Sequence, residues 1–343
     1  MNNIVFINDS KELIEYLRTI NDAIILCDEN TFNFCHPRLP FTIGVPVIKI
    51  PSGENNKSMA NLQFIWNKMV DFKANRHSTL INLGGGVISD IGGFAAATYN
   101  RGIKFINIPT SLMGMVDAAN GGKTGVNFKG YKNYIGSFSN PESILIWPEF
   151  LKTLPFKHIL SGLTEMIKHG AIANKSYFDT LTGIDLNEVT RNTIDWMPVI
   201  KQSVAIKSSI VKDDFKESGK RKLLNFGHTI GHAFESYFID EHATHGHYVS
   251  AGMICEAWLS YKKGKLTLES LETLTTFIDS IFNRIEFTSE QLDDIAALTL
   301  KDKKNNSEAI LCVYLKQIGS ASYDNTITMD DVKDSLKFYS HLW

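Results

Sequence analysis

From the N-terminus to about residue 147, short β-branched runs alternate with stretches at helical spacing, and this alternation constrains the fold more than any other feature of the chain. "AIILCDEN" and "VPVIKI" read as strands, "NLQFIWNKMVDFKA" as a helix, "STLINLGGG" as a strand, "ISDIGGFAAATY" as a helix and "IKFINIPT" as a strand. Such alternation predicts a largely parallel sheet covered by helices. After "WPEFLKTLP" the pattern turns to long helical stretches, roughly 157–174, 186–212, 223–238, 247–264 and 267–283, and only "AILCVYL" (309–315) still looks like a strand. The expected organisation is a nucleotide-type α/β domain over residues 1–150 and a mainly α-helical domain over residues 151–343. A chain of 343 residues exceeds what one core serves, and 43% apolar content is enough for two. Ligands of such architectures are expected in the cleft between the domains, where strand ends and helix ends meet.

The net charge of −2 is spread without long like-charge blocks, which gives no field for nucleic acid or a membrane surface. A small molecule is the expected partner, met by locally gathered cations if it is anionic. The start, "MNNIVFINDSKELIEYL", lacks the features of a signal peptide, and no apolar run is long enough to span a bilayer, so a cytoplasmic protein is expected. Cys27, Cys35, Cys255 and Cys312 are scattered singly in apolar surroundings with no CxxC, which predicts buried free thiols.

Two motifs carry chemistry. "LINLGGGVISDIGGFAA" sets three glycines between a strand and a helix, so that backbone N–H groups and the helix's positive end can approach a pyrophosphate. The strict GxGxxG is absent, since Ser89 stands where the last glycine would be, and a turn serving only helix–strand packing is the competing reading. Asp90 suits the positive helix end electrostatically, and Glu54 and Lys57 in "SGENNKS" read either as a ribose-binding pair or as a solvated turn.

The second motif is a cluster of histidines: residues 224–253 hold five of the chain's ten, namely His228, His232, His242, His245 and His247. If "RKLLNFGHTIGHAFESYF" is one helix, His228 and His232 share a face with Glu235 one turn on, and they either share a divalent cation or divide metal and substrate between them. His245 beside Gly246 can turn back toward His228. Glu165, inside the apolar "SGLTEMIKHGAIAN", is the best third ligand, because a buried carboxylate is costly unless paired or metal-bound. Lys168 and His169 lie three and four positions on, and Glu plus two His with an open position is a usual catalytic zinc set. Solvated or hydrogen-bonded histidines are the competing reading, and His242 and His247 are taken as surface groups. Lys123, Lys132 and Asn133 in a glycine-rich loop, then Lys168, Lys207, Arg221, Asn225, Lys303 and Lys304, would clamp a phosphate and a carboxylate if they converge.

Taken in order, "GGGVISDIGGFAAATYNRGI", "IPTSLMGMVDAANGGKTGVN", "KNYIGSF", "SGLTEMIKHG" and "RKLLNFGHTIGHAFE" resemble the 3-dehydroquinate synthase family over residues 52–304. The resemblance implies the fold of that family, a Rossmann-like domain with a mostly parallel sheet plus a mainly helical domain. It also implies Glu165, His228 and His245 as metal ligands, for zinc first and cobalt second. An NAD site would involve Asp28, Glu54, Lys57, Gly85, Gly86, Val87, Asp90, Thr110, Ser111, Asp117, Lys123, Lys132, Phe150 and Thr153. Substrate contacts would come from Asp117, Lys123, Asn133, Lys168, Lys207, Arg221, Asn225, His232 and Lys304. Arg101 would reach the phosphate from a partner subunit, which implies a homodimer.

The implied reaction converts 3-deoxy-D-arabino-heptulosonate 7-phosphate to 3-dehydroquinate and phosphate, a step of the shikimate pathway toward aromatic amino acids. It would run through transient oxidation by NAD, phosphate elimination, re-reduction, ring opening and aldol closure, with His232 and Asn225 in hydroxyl positioning and proton relay. The chain departs from the family's pattern at "DAAN", at His247 where a Glu is common, and at His158. Another sugar phosphate cyclase, a metal-dependent polyol dehydrogenase, and a non-catalytic NAD-binding module are the rival readings.

Overall fold

The computed structural model describes residues 3–39, 44–191, 193–238, 243–301 and 310–341. The chain divides into two compact units, Met1–Ile159 and Leu160–Trp343. The division falls inside a helix, Phe156–Ala173.

The first unit contains strands β1 (Asn3–Phe6), β2 (Ala23–Asp28), β3 (Val47–Ile50), β4 (Thr79–Gly84), β5 (Lys104–Pro109), β6 (Lys123–Phe128), β7 (Tyr131–Phe138) and β8 (Ser143–Ile146). Its helices are α1 (Ser10–Arg18), α2 (Glu29–Phe34), α3 (Met59–Asp71) and α4 (Gly86–Thr98). Six strands make one sheet in the order β1-β8-β5-β4-β2-β3, with every pairing parallel. β4 is buried at every residue, the continuous run expected of a parallel strand covered on both faces. Its one amide, Asn82, is tied sideways through its nitrogen: Nδ2 donates to Asn107 Oδ1 on β5 at 2.9 Å, and Asn107 Nδ2 donates to the Ala119 carbonyl at 3.2 Å.

The chain leaves β2 for β3 on one side and β4 for β5 on the other, so the carboxyl ends of β2 and β4 form the switch point of the sheet. α4 lies close against this sheet and against β6 because of its small residues. A Cβ on Gly93 would come 2.5 Å from Thr124 Cγ2 on β6, and one on Gly92 2.0 Å from Asn82 Oδ1.

Residues 117–136, expected as a glycine-rich loop, are for the most part an antiparallel hairpin, β6–β7. Its backbone needs the glycines: a Cβ on Gly136 would come 2.1 Å from the Thr124 carbonyl. The turn end of the hairpin is pinned to the segment before α3 and braced within itself. Asn127 N donates to the Lys57 carbonyl at 2.8 Å, and Asn127 Oδ1 accepts the N–H of Asn133, which takes a left-handed φ of 49°.

The second unit begins in α5 (Phe156–Ala173) and continues with α6 (Lys175–Thr182), α7 (Leu186–Arg191), α8 (Trp196–Asp213), α9 (His228–Tyr237), α10 (His245–Lys262), α11 (Leu268–Asp279), α12 (Ser289–Leu298), strands β9 (Ile310–Gln317) and β10 (Ser320–Ile327), and α13 (Met329–His341). Three expectations are corrected. The stretch 186–212 is two helices, with α8 capped by Asp195, whose carboxylate accepts the Met197 N–H at 3.2 Å. The single strand at 309–315 is half of an antiparallel hairpin with β10, turned at Gly319 with φ 90°. The helix expected over 223–238 is broken: Lys220–Asn225 is a 3-10 turn, Gly227 takes φ 78°, and α9 starts at His228.

All four cysteines are free and buried, Cys27 and Cys35 in the first unit, Cys255 and Cys312 in the second. Burial above all, with the charge of Asp28 next, pushes the Cys27 and Cys35 thiols up to about 12. Among the described residues no helix is long and apolar enough to cross a membrane.

Candidate active site

In the first unit the glycine turn sits at the carboxyl end of β4, within the switch point. Gly85 caps α4 without a side-chain hydrogen bond, and Gly85, Gly86 and Val87 are only partly buried, so the first amides of α4 are open to an anion. Space explains the glycines here, since a Cβ on Gly85 would lie 3.1 Å from Ser111 Oγ and one on Gly86 3.2 Å from Ala118 Cβ. Thr110 N donates to the Gly84 carbonyl at 3.1 Å and Ser111 Oγ accepts the Gly114 N–H, which holds the segment after β5 beside the turn. Asp117 follows on a π-type turn, Gly114–Ala118.

Beside α4 an ion cluster forms around a buried lysine. Lys57, only 4% exposed, has its ammonium 2.9 Å from Glu54 Oε1 and 3.2 Å from Asp90 Oδ2. Burial acts to lower the Lys57 pKa, but the charges and hydrogen bonds of Asp90 and Glu54 outweigh it and hold it above its ordinary value. Asn127 Nδ2 donates to Glu54 Oε1 at 3.0 Å.

Three of the residues implied on the nucleotide side have evident structural work. Asp28 ends β2 and caps α2, accepting the Thr31 N–H at 2.8 Å in a reciprocal capping box. The Phe150 side chain lies in the core, edge-on to Trp147, and the Thr153 hydroxyl closes that turn on the Phe150 carbonyl. Lys132, with Lys123 and Asn133, is on exposed β6–β7 positions. Arg101 is exposed on a left-handed bend, Asn100 at φ 49° and Arg101 at φ 66°, and borders a surface hollow with Asn75, Arg76 and His77. His158 is held below its ordinary value by burial and then by the charge of Lys157.

In the second unit three elements bring their polar residues together. α5 carries Glu165 and Lys168, 0% and 1% exposed, which form an ion pair three residues apart. α9 carries His228 and His232, with ring centroids 5.1 Å apart. α10 starts at His245, and Gly246 lets that start press on α5: a Cβ there would meet Ser161 Cα at 2.5 Å, and the Gly246 N–H donates to Ser161 Oγ at 3.0 Å. Ser161 is one turn before Glu165, so His245 comes to rest over the carboxylate.

Glu165 Oε1 lies 3.8 Å from His228 Nε2 and 4.0 Å from His245 Nε2. Ligand atoms that share a zinc at ~2.0–2.2 Å each lie within about 4 Å of one another. The second ring nitrogens are already engaged. His228 Nδ1 is 3.2 Å from the Phe226 carbonyl and His245 Nδ1 is 3.3 Å from Glu235 Oε2, the outer contacts that orient metal-binding imidazoles. Apart from the Lys168 ion pair at Oε2, neither oxygen of Glu165 has a hydrogen-bond donor among the described residues. The residues present therefore fit a divalent ion. His228, His232 and His245 also offer ring nitrogens within 4.8 Å of one another, so His232 borders the same point.

Sequence reasoning put Glu235 on the histidine face but gave it no role; its hold on His245 depends on how α9 and α10 meet. His247, expected at the surface, is half-buried, stacked on Phe282 at 5.1 Å with Nε2 2.7 Å from the Asn283 carbonyl. Of the expected clamp, Lys207 on α8 and Arg221 are 5% and 3% exposed. Arg221 is held by its backbone N–H to Asp214 Oδ2 at 3.0 Å and by Nη1 to the Phe215 carbonyl at 2.6 Å, and Asn225 donates to Glu217 Oε1 at 2.8 Å. Burial alone would raise the Asp214 carboxyl, but N–H donors from Gly219, Arg221 and Ser218 hold it down at about 2. Lys303, Lys304 and His242 lie outside the described residues.

The 3-dehydroquinate synthase N-terminal profile matches residues 47–161 and the 3-dehydroquinate synthase C-terminal profile matches residues 162–305. A 3-dehydroquinate synthase of Parabacteroides distasonis is 40% identical over 98% of this chain and 97% of its own length. One from Clostridium acetobutylicum is 37% identical over 95% and 92%. Among solved structures, a 2-epi-5-epi-valiolone synthase of Streptomyces hygroscopicus subsp. jinggangensis 5008, with NAD+ and Zn2+ bound, superposes with a TM-score of 0.87 at 26% identity over 99% of this chain and 97% of that one. With both halves matched in order and relatives similar along nearly their full length, the chain belongs to the 3-dehydroquinate synthase family.

Proposed function

We infer that the chain is a lyase that converts 3-deoxy-D-arabino-heptulosonate 7-phosphate to 3-dehydroquinate and phosphate, using NAD and a divalent metal. The observation that carries the metal is the Glu165 carboxylate, buried, without a hydrogen-bond donor among the described residues beyond its Lys168 ion pair, and with Oε1 within 4.0 Å of two imidazoles whose other nitrogens are engaged. Glu165, His228 and His245 hold the ion. Gly85, Gly86 and Val87 take the dinucleotide pyrophosphate at the start of α4, with Glu54, Lys57 and Asp90 beside it. When bound, NAD supplies a reversible two-electron acceptor and the ion a Lewis acid for the substrate's hydroxyls.

The remaining work belongs to the protein's own groups. Lys168, ion-paired to Glu165, joins the substrate clamp, and His232 and Asn225 orient hydroxyls and pass protons. Lys207, Arg221 and Lys304 bind the substrate's anionic ends; Arg221 offers a planar fork that its Asp214 and Phe215 contacts already hold in place. Asp117, Lys123 and Asn133 complete the substrate contacts. Holding both ends of a flexible sugar limits unproductive rotamers before ring closure. Arg101, exposed on its left-handed bend, serves the site of a second copy in a homodimer, and the enzyme works in the cytoplasm.

The test is phosphate release from the heptulosonate phosphate with NAD and zinc supplied. We expect stoichiometric phosphate and 3-dehydroquinate with no net NADH, and loss of turnover on chelation. Net NADH accumulation would identify a dehydrogenase, and absence of phosphate release would overturn the assignment.

A further inference from the structure

α10 carries a second fully buried carboxylate, Glu256, 0% exposed, which none of the roles above uses. Its Oε1 accepts the backbone N–H of Thr229 at 3.1 Å. Thr229 directly follows His228 in the first turn of α9, and its hydroxyl donates to the Leu311 carbonyl on β9 at 2.9 Å. One turn before Glu256 on α10 is Gly252, where an added Cβ would lie 1.9 Å from the Gly227 carbonyl. The entrance to α9 is thus gripped by α10 at two neighbouring points, a backbone contact at Gly227 and a charge-assisted hydrogen bond at Thr229.

The first N–H groups of a helix lack intrahelical acceptors, and a negative group is favoured there. The residue that precedes α9 is Gly227, which has no side chain to supply one. Glu256 supplies it from the neighbouring helix.

We propose that Glu256 is a positioning residue for the metal centre: by holding the Thr229 N–H it fixes the first turn of α9, and with it the His228 ring against Glu165. The inference rests on the metal reading above. It also accounts for a buried carboxylate at this point of α10, where an apolar residue would fill the same space without desolvating a charge.

The test uses the full chain, with zinc affinity measured by chelator competition and the Co(II)-loaded protein read by visible absorption. Glu256→Met, of similar length, removes the acceptor without opening a cavity. Zinc affinity is expected to fall about 10–100-fold, the range for loss of groups that orient metal ligands, and the cobalt bands to shift. Glu256→Gln, which keeps an oxygen acceptor, is expected to restore both readouts, with NAD affinity unchanged in either variant. A folded Glu256→Met protein with wild-type zinc affinity and cobalt bands would overturn the proposal, as would Glu256→Gln behaving like Glu256→Met. If Glu256→Met does not fold, Glu256→Asp retracts the acceptor by one methylene: weaker zinc binding supports the proposal and unchanged binding overturns it. A wild-type chain that takes up neither metal overturns the metal centre itself, a separate failure that removes this inference with it.

Discussion

In the first unit the Lys57 ammonium lies under the surface with Glu54 at 2.9 Å and Asp90 at 3.2 Å, and Asn127 donates to the same Glu54 oxygen. In the second unit the Glu165 carboxylate is buried as deeply, yet beyond its ion pair with Lys168 it accepts no hydrogen bond. The two sites differ in completeness. A buried charge with all its partners is finished as structure; one with open lone pairs facing two oriented imidazoles has coordination to spare. What the contrast teaches is where to look for a ligand: in the second unit at the charge itself, in the first at the open amides of α4 beside it.

The sharpest way to break this contrast is Glu165→Gln. It is expected to abolish bound zinc and turnover together and to destabilise the chain by ~3–5 kcal/mol by leaving Lys168 without its counter-charge, as read by metal analysis, phosphate release and urea unfolding. A metal-free Glu165→Gln enzyme with full activity would mean that the carboxylate is structural after all. Next in size, Arg221→Ala should weaken binding of a phosphonate analogue by ~2–5 kcal/mol if its charge is desolvated against the ligand, measured by calorimetry. Unchanged affinity would put Arg221 outside the clamp.

Packing offers a third comparison. Gly252→Ala drives a Cβ into the Gly227 backbone carbonyl, whereas Gly93→Ala meets the Thr124 side chain, which can move aside by giving up its hydroxyl's bonds to Ser137. The first should cost the upper end of about 1–3 kcal/mol or more and the second clearly less, by thermal unfolding; equal costs would show the helical interface to be as yielding as the sheet. The smallest effect concerns pH. Asp214 sits below its ordinary value, so its contribution to stability is present above the usual pKa of 3.8 and is lost as pH falls toward about 2. Lys57 sits above its own, so its contribution is present below 10.5 and is lost as pH rises through its folded value. The stability gap between wild type and Asp214→Asn should therefore close in acid, and that for Lys57→Met in alkali.

The parallel sheet was legible because its strands are buried on both faces: β4, "TLINLG", is apolar apart from Asn82 and its terminal residues and bounded by turn signals. β6–β7 was not, since β7 is exposed at most positions and its glycines mask any alternation. "SASYDNTI" of β10 carries a polar composition that only pairing with buried β9 makes a strand. In the histidine region the apolar spacing of Leu224, Phe226, Ile230 and Phe234 runs through the break at Gly227, so pattern alone predicts one helix where a left-handed residue makes two segments. The candidate ligands could be named from chemistry, as an acid inside an apolar helix and imidazoles at glycines. Their outer contacts could not, because a carbonyl at Phe226 and a carboxylate at Glu235 acquire meaning only when helices meet.

The distribution of the thiols has a practical consequence. With two shielded sulfhydryls in each unit, an alkylating reagent can mark the native chain only when a unit opens. Peptide mapping of modified Cys27 and Cys35 against Cys255 and Cys312 would then time the opening of each half separately, with no engineered label, and show which half a bound nucleotide or zinc ion protects.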